Sequence, residues 1–311
     1  MPGFLTHYIA GQALLNELDK EVSIKIKNYE KLFNLGTQGP DIFFYYFPGQ
    51  ILKRSRGVGS DMHQSNLGLV LLDMSVSTGL VNALVRDKIF AYTAGFMMHY
   101  LLDAFAHPYV YAKTFKANAP RIKNSADHRK FETAIDIKML DLVRSKKPAE
   151  LKQWQLINAN KNQMNSASEA LSNALKNVYK RNIPTKTIER AMRHMVYLTR
   201  LLESKNGKRK RLVELVENIS IKEPLYSSMV HTQKLTDDVD YLNTKKTSWS
   251  PPWAKEEIST DSFVERYQNS IKECVNLVET LYEYVYKKLD VELLAAKIGN
   301  LSLKTGKPCQ G

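Results

Sequence analysis

Several histidines of this sequence stand four residues from a carboxylate, and this spacing could build a metal site. His99, Asp103 and His107 follow one another at intervals of four, and residues four apart are stacked along one side of a helix. His128 and Glu132 repeat the interval. One such pair is usually a hydrogen-bonded helix pair, but two pairs with a further histidine on the same face indicate a metal site.

Imidazole and carboxylate groups would have to supply the ligands of any such site. The only cysteines are Cys274 and Cys309, which exclude both a disulfide framework and a thiolate metal site. Without thiolates, neutral imidazoles and carboxylates are the usual ligands of divalent zinc. The residues around Asp103 are too apolar to leave a carboxylate unpaired, and a metal ion would satisfy its charge. The residue types therefore predict a buried site with zinc as the favoured ion.

Helical periodicity predicts the elements that must hold these residues. Apolar residues recur at intervals of three and four in segments 9–18, 67–74 and 191–202, and no segment alternates as a strand would. We therefore expect an all-α, multi-helix domain of roughly eight to ten helices. Segment 89–106 is apolar but contains His99 and Asp103, which favour a helix buried in protein over a membrane span.

Length and charge predict how the chain is organised. Its 311 residues, 43% of them hydrophobic, exclude a disordered or fibrous chain. We expect residues 1–295 to form a single helical domain, with a metal-ligand half at 1–142, a helical buttress at 143–295 and a flexible tail at 296–311. Within the buttress, segment 261–294 predicts one amphipathic helix.

The positive charge is concentrated in the second half of the chain. Residues 1–142 carry 16 basic and 13 acidic residues, whereas the remainder carries 29 and 19. This excess favours phosphate-rich partners, either an anionic membrane surface or nucleic acid. The basic run 205–211 is interpreted as a solvated connection, His194 and His231 as ordinary histidines, and the aromatic run 43–48 as a buried cluster that braces the neighbouring turn.

The first 140 residues contain an ordered series of motifs, namely Thr6-His7, Gly39-Pro40-Asp41, His63, His99-Tyr100-Leu101-Leu102-Asp103, His107-Pro108-Tyr109 and His128-Arg129-Lys130-Phe131-Glu132. This series resembles that of the bacterial zinc-dependent phospholipases C and, more distantly, of the S1/P1 zinc nucleases.

The resemblance implies a phospholipase C/P1 nuclease-like fold with two zinc ions and a third at His7. The implied ligands are Asp41, His63, His99 and Asp103 for one zinc, His107, His128 and Glu132 for a second, and His7 with a shared Asp103 for the third. Secreted members complete the third site with an N-terminal tryptophan, whereas this sequence begins with Met1. The histidine of the second site usually stands six residues after the bridging aspartate, whereas His107 follows Asp103 by four.

The reaction that the resemblance implies is hydrolysis of a phosphodiester, in a phospholipid headgroup or another substrate of this chemistry, with zinc as Lewis acid and activator of water. Asp41 is the expected general base as well as a ligand. Choline-preferring members have an aromatic residue directly after this aspartate, where this sequence has Ile42, so the headgroup is not implied.

Two alternatives stay open at this point. The first is a zinc nuclease or nucleotide phosphodiesterase, which would use the same metals and would make nucleic acid the partner. The second is a catalytically weak, zinc-stabilised binding or structural protein. The N-terminal residues lack the charged and apolar regions of a secretory signal, so we expect a cytoplasmic protein or one peripheral to a membrane, with export left open.

Overall fold

The computed structural model describes residues 3–46, 57–203, 235 and 238–309. Within these ranges the fold is all-α, as the periodicity predicts, with twelve α-helices, two short 3-10 helices and no strand. The α-helices are α1 (Phe4–Glu17), α2 (Lys20–Lys27), α3 (Glu30–Gly36), α4 (Val58–Gln64), α5 (Leu67–Leu80), α6 (Ala83–Thr114), α7 (Arg121–Arg144), α8 (Gln153–Leu156), α9 (Lys161–Tyr179), α10 (Thr185–Leu202), α11 (Phe263–Lys287) and α12 (Val291–Ile298).

The expected count of eight to ten helices is too low because short helices span too few turns to show a period. Helices α3, α4 and α8 have only seven, seven and four residues. The two 3-10 helices, Gly39–Phe43 and Pro148–Glu150, are shorter than most helices of the fold as well. No helix in the described ranges combines the length and the apolar character that crossing a bilayer requires.

Helix α6 lies at the centre of the fold and carries three of the predicted ligands. The side chain of Asn82 caps its first turn by accepting a hydrogen bond from the backbone N–H of Val85 at 3.2 Å, which satisfies one of the helix's free donors. Nearly every residue from Ile89 to Val110 is buried, because α1, α2, α3, α5, α7, α9 and α11 all pack on this helix. The expected buried helix is therefore present, and it is longer than the apolar segment 89–106.

Two glycines allow α3 and α6 to cross with their backbones in direct contact. A Cβ atom at Gly36 or at Gly95 would lie well under 3.0 Å from a carbonyl oxygen of the other helix, that of Tyr92 or of Phe33. This close crossing places the end of α3 against α6 one turn before His99. It therefore fixes the backbone that faces the first metal-ligand residues.

We expect Gly95→Ala to destabilise the protein by about 1–3 kcal/mol, because the added methyl group must push two packed backbones apart. The free energy of unfolding, measured by urea titration, tests this. Gly79→Ala in α5 is the matched control, since its Cβ would meet only the ring of Tyr284 at 3.5 Å, an ordinary contact. Equal stability of the two variants would contradict the close crossing.

The C-terminal part of the chain differs from the sequence-based expectation in two ways. Segment 261–294 is not one helix, since α11 ends where Lys288 adopts a left-handed conformation with φ 59°. Helix α12 then begins after Asp290, whose side chain accepts from the N–H of Glu292. The period of apolar residues continues across this break, so spacing alone does not reveal it.

Residues 299–309, which we call the C-terminal strap, are packed against α6 rather than forming the expected flexible tail. The hydroxyl of Tyr100 donates to the carbonyl of Ile298 at 3.2 Å and accepts from the N–H of Leu301 at 2.6 Å. Leu303 is fully buried, and Leu301 and Pro308 form an isolated bridge that closes the turn. A polar composition predicted a loose end, but one buried leucine and backbone hydrogen bonds hold it in place.

The structure describes only part of the aromatic run, the remaining histidines and the basic run interpreted from the sequence. In the aromatic run, Phe43, Tyr45 and Tyr46 are buried, in agreement with the interpretation as a bracing cluster. His194 packs beside Tyr46, with ring centroids 5.2 Å apart, as an ordinary packing histidine would. The basic run 205–211 and His231 lie outside the described residues.

Candidate metal centre

The structure brings all eight predicted ligands together from five helical elements. They are His7 of α1, Asp41 of the 3-10 helix, His63 of α4, His99, Asp103 and His107 of α6, and His128 and Glu132 of α7. They form three groups of three, and within each group one ligand atom per residue lies within 4.8 Å of the others. The groups are His7, His99 and Asp103; Asp41, His63 and His99; and His107, His128 and Glu132.

Asp103 joins the histidines of the first two groups. One of its oxygens, Oδ1, lies 3.2 Å from Nε2 of His7, while Oδ2 lies 3.1 Å from Nε2 of His99 and 3.7 Å from Nε2 of His63. Asp41 completes this side of the centre with Oδ1 at 3.3 Å from Nε2 of His63. A carboxylate with histidines on both oxygens is suited to bridge two cations, which is the sharing that the resemblance implies for Asp103.

The third group is built by the two helices that carry the four-residue intervals. Nε2 of His128 lies 2.7 Å from Oε1 of Glu132, and Nε2 of His107 lies 3.9 Å from the same oxygen. Helix α6 continues through His107 to Thr114 although it contains Pro108. Because the helix is continuous, the four-residue step from Asp103 keeps His107 on the same face as the other ligands of α6.

Backbone carbonyls orient three of the imidazoles through Nδ1. The partners are the carbonyl of Gly59 for His63 at 2.5 Å, that of Thr37 for His99 at 3.1 Å, and that of Leu303 for His107 at 2.6 Å. A carbonyl can only accept, so each Nδ1 carries the proton and each Nε2 presents a lone pair to the centre. Such partners fix the tautomer and the direction of metal-binding histidines.

The ligand atoms are buried and, apart from the imidazole–carboxylate contacts of 3.1–3.9 Å described above, have no hydrogen-bond partner among the described residues. This arrangement tests whether a metal fits. The atoms are both nitrogens of His7, Oδ1 of Asp41, Nε2 of His63, His99 and His107, and both carboxylate oxygens of Asp103. Burying so many polar atoms whose only partners are one another is costly. Imidazole nitrogens and carboxylate oxygens that converge in this way suit zinc in its usual nitrogen and oxygen coordination, so the donor set fits the ion.

Protonation at neutral pH also suits a cation site. Burial acts to raise the pKa of Asp103, but the charge of His99 and hydrogen bonds from His7 and His99 outweigh it and hold that pKa well below its usual value. Burial lowers the pKa of His107 and His128 well below the ordinary value, so both are neutral. Burial also acts to lower the pKa of His99, but the charge of Asp103 outweighs it and raises that pKa. Metal binding at Nε2 of His99 would compete with the proton that this raised pKa favours.

Gly39 shapes the turn that presents Asp41. Its φ of 50° lies in the left-handed region, which favours glycine. A Cβ at this position would also lie under 3.0 Å from the ring of His99. The turn can therefore approach the histidine closely enough for Asp41 to reach the centre.

Asp136 follows Glu132 by four residues, but it does not belong to the ligand groups. Its carboxylate accepts hydrogen bonds from the N–H of Leu5 at 3.0 Å, and from the N–H and hydroxyl of Thr6 at 2.8 and 2.6 Å. A carboxylate at the first turn of α1 accepts from the free backbone donors there, and its negative charge interacts favourably with the helix dipole. Asp136 therefore holds the helix that carries His7, a role that its spacing in α7 does not indicate.

The C-terminal strap orients His107 through a backbone carbonyl. The carbonyl that fixes this imidazole belongs to Leu303, and the turn behind it depends on Gly306, which has φ 67°. A Cβ on Gly306 would lie under 3.0 Å from the carbonyl oxygen of Ala104. The sequence gives no signal for this contact because its acceptor is a backbone atom 196 residues away from His107.

We expect Gly306→Ala to weaken zinc binding by roughly tenfold. This is the lower end of the loss of metal affinity seen when the hydrogen-bond partner of a metal ligand is removed. The added methyl group would lift the strap from α6 and take the carbonyl of Leu303 away from His107. Gly299→Ala is the matched control, since it has a similar φ of 62° but nothing within 4 Å of its Cβ. Chelator competition measures the affinities, and equal weakening in both variants would attribute the effect to backbone strain alone.

Comparison with known proteins adds one finding to this geometry. A family model described as zinc dependent phospholipase C matches residues 6–183, a range that contains all eight ligands. Comparisons with curated proteins and with solved structures found no match.

Proposed function

The chain belongs to the zinc-dependent phospholipase C family, and from this premise we propose that it is a zinc-dependent hydrolase of phosphodiester bonds that acts on phospholipid headgroups. The observation that carries the proposal is the convergence of buried imidazole and carboxylate atoms whose only partners are one another, among them Nε2 of His99 and His107 and both oxygens of Asp103. Zinc held there would act as a Lewis acid on the phosphate and activate water for attack.

Burial separates the roles of the two aspartates in this proposal. The side chains of Asp103 and His99 are fully buried, so these residues hold metal without meeting substrate. The side chain of Asp41 is 12% exposed and lies beside His63, which is 13% exposed. Asp41 is therefore the carboxylate that attacking water can reach, and we assign it the role of general base in addition to that of ligand.

We expect Asp41→Asn to lower kcat by about 10²–10⁴-fold, the usual contribution of a general base, while zinc bound by His107, His128 and Glu132 is retained. The measurements are zinc content by mass spectrometry and hydrolysis of bis(p-nitrophenyl) phosphate. Asp61→Asn is the control on neighbouring α4, since its carboxylate pairs with Arg181 at 2.7 Å and belongs to no ligand group. Equal loss in both variants would contradict the assignment.

The substrate class is tested by comparing dihexanoyl phospholipids with single-stranded DNA. Turnover of phospholipid supports the proposal, and turnover of DNA alone would replace it by the nuclease alternative. Bound zinc without turnover of any diester would instead favour a zinc-stabilised binding protein. The net charge of +13 favours encounter with anionic membrane surfaces, and this supports the proposal that the enzyme acts at the membrane periphery.

A further inference from the structure

A lysine of the C-terminal strap lies beside the third ligand group. Lys304 directly follows Leu303, whose carbonyl holds His107. Its ammonium nitrogen lies 5.6 Å from the ring centroid of Tyr111 and 5.8 Å from that of Trp253. The ring of Tyr111 in turn lies 4.6 Å from the ring of His128. Lys304 and a proposed zinc ligand therefore contact the same tyrosine.

The two aromatic rings hold this ammonium without neutralising it. Their centroids are 5.4 Å apart and the rings are tilted by 70°, so both contribute to a cation–π contact that restrains the lysine side chain. No carboxylate among the described residues lies within 4.0 Å of Lys304, whereas Lys307 of the same strap is paired with Glu257. Lys304 consequently presents a positive charge that the two rings restrain and that is open to an anion.

A second donor lies at the same place. The indole Nε1 of Trp253 is buried and has no acceptor among the described residues. A buried donor without a partner is costly, and an oxygen of a bound ligand would satisfy it. The ammonium of Lys304 and the indole N–H of Trp253 are both hydrogen-bond donors, so the surface that they form is suited to ligand groups that accept hydrogen bonds.

The same geometry disfavours a cationic ligand. Pairs of aromatic rings commonly bind quaternary ammonium groups such as choline, but here the ammonium of Lys304 already lies over Tyr111 and Trp253. A choline group would have to displace this charge or lie next to it. A headgroup alcohol without a positive charge meets no such repulsion and can offer oxygen atoms to both donors.

We infer that Lys304, held over Tyr111 and Trp253, determines headgroup specificity, and that the centre prefers phospholipids of net negative charge to choline phospholipids. The inference rests on the proposed function, because it names the substrate class of that site. Since Lys304 is exposed, the preference is expected to be roughly fivefold, the upper range for a single solvent-screened charge contact.

Binding of two phosphate monoesters tests the inference without requiring turnover. Isothermal titration of the zinc-loaded full chain would compare sn-glycerol 3-phosphate with phosphocholine, which share the phosphate and differ in carrying two hydroxyl groups or a quaternary ammonium group. The wild type is expected to bind glycerol 3-phosphate roughly fivefold more tightly. Lys304→Gln should bring the ratio close to one, and Lys304→Glu should reverse it.

Lys307→Gln is the matched control, because it removes a strap lysine of equal charge that is paired with Glu257. It should leave the wild-type ratio unchanged. A ratio that is the same in wild type and Lys304→Gln would overturn the inference, as would an equal change in Lys307→Gln, which would show a general effect of surface charge.

A turnover measurement separates this inference from the proposed function. The ratio of kcat/KM for dihexanoyl phosphatidylglycerol to that for dihexanoyl phosphatidylcholine should follow the binding ratio through the same variants. If the binding ratio depends on Lys304 but neither phospholipid is hydrolysed, the proposed function fails and the anion specificity of the surface that Lys304 and Trp253 form stands. If both are hydrolysed at a ratio independent of Lys304, the specificity inference fails and the proposed function stands.

Discussion

Replacing Asp103 by asparagine is expected to remove zinc from the side of the centre formed by His7, His63 and His99, and to lower phosphodiester turnover by at least about a thousandfold. The loss should exceed the roughly 10–100-fold seen when the hydrogen-bond partner of a metal ligand is removed. Asp103 is itself a proposed ligand, because both its oxygens lie within 3.7 Å of histidine nitrogens. The substitution also removes the negative charge that would balance the metal held by these imidazoles. Zinc content by mass spectrometry and hydrolysis of bis(p-nitrophenyl) phosphate give the two results.

Asp136→Asn controls for the general effect of neutralising a buried carboxylate. Asp136 is fully buried, and its carboxylate accepts hydrogen bonds from the first turn of α1. This variant should be less stable, yet it should keep zinc at His63 and His99, the side of the centre from which Asp103→Asn is expected to remove it. Full zinc content and undiminished turnover in Asp103→Asn would refute the role given to Asp103.

Removing zinc is expected to destabilise the folded protein by several kcal/mol. Metal-binding free energy contributes directly to folding free energy when the unfolded chain lacks the site, and the metal-free centre retains buried polar atoms of His7, His99 and Asp103 that have only one another as partners. For a chain of this size a loss of about 5 kcal/mol corresponds to a fall in Tm of roughly 10 °C. Differential scanning calorimetry before and after dialysis against a chelator measures the shift.

Restoration with different cations makes this prediction specific. Zinc should restore the original Tm, whereas magnesium should not, since magnesium prefers oxygen ligands in octahedral geometry and this centre is dominated by imidazole. An unchanged Tm after complete removal of zinc would argue that the fold does not depend on the metal. Equal restoration by magnesium would argue against coordination by the histidines.

The sequence predicts the part of the centre that lies on regular helices. His99, Asp103 and His107, and likewise His128 and Glu132, are identifiable because a four-residue interval places side chains on one helix face. The spacing of His7, Asp41 and His63 carries no such information, since each lies on a separate element. Only the resemblance to a family with ordered motifs assigns them to the centre.

The contacts that orient the ligands are the part that the sequence does not predict. The acceptors at His63, His99 and His107 are backbone carbonyls, which every residue possesses and no residue type signals. Asp136 illustrates the opposite case, because its spacing in α7 continues the four-residue series while its carboxylate binds the first turn of α1. The break at Lys288 is hidden for a related reason, since apolar periodicity reports burial and not the continuity of the backbone.

The hydrogen bond between the strap and His107 also has a consequence for biosynthesis. Ribosomes make chains from the N-terminus, so all eight ligands emerge well before Leu303 does. The group that contains His107 gains its orienting carbonyl only when the strap docks on α6. Full orientation of this group therefore depends on a segment that is synthesised after every ligand.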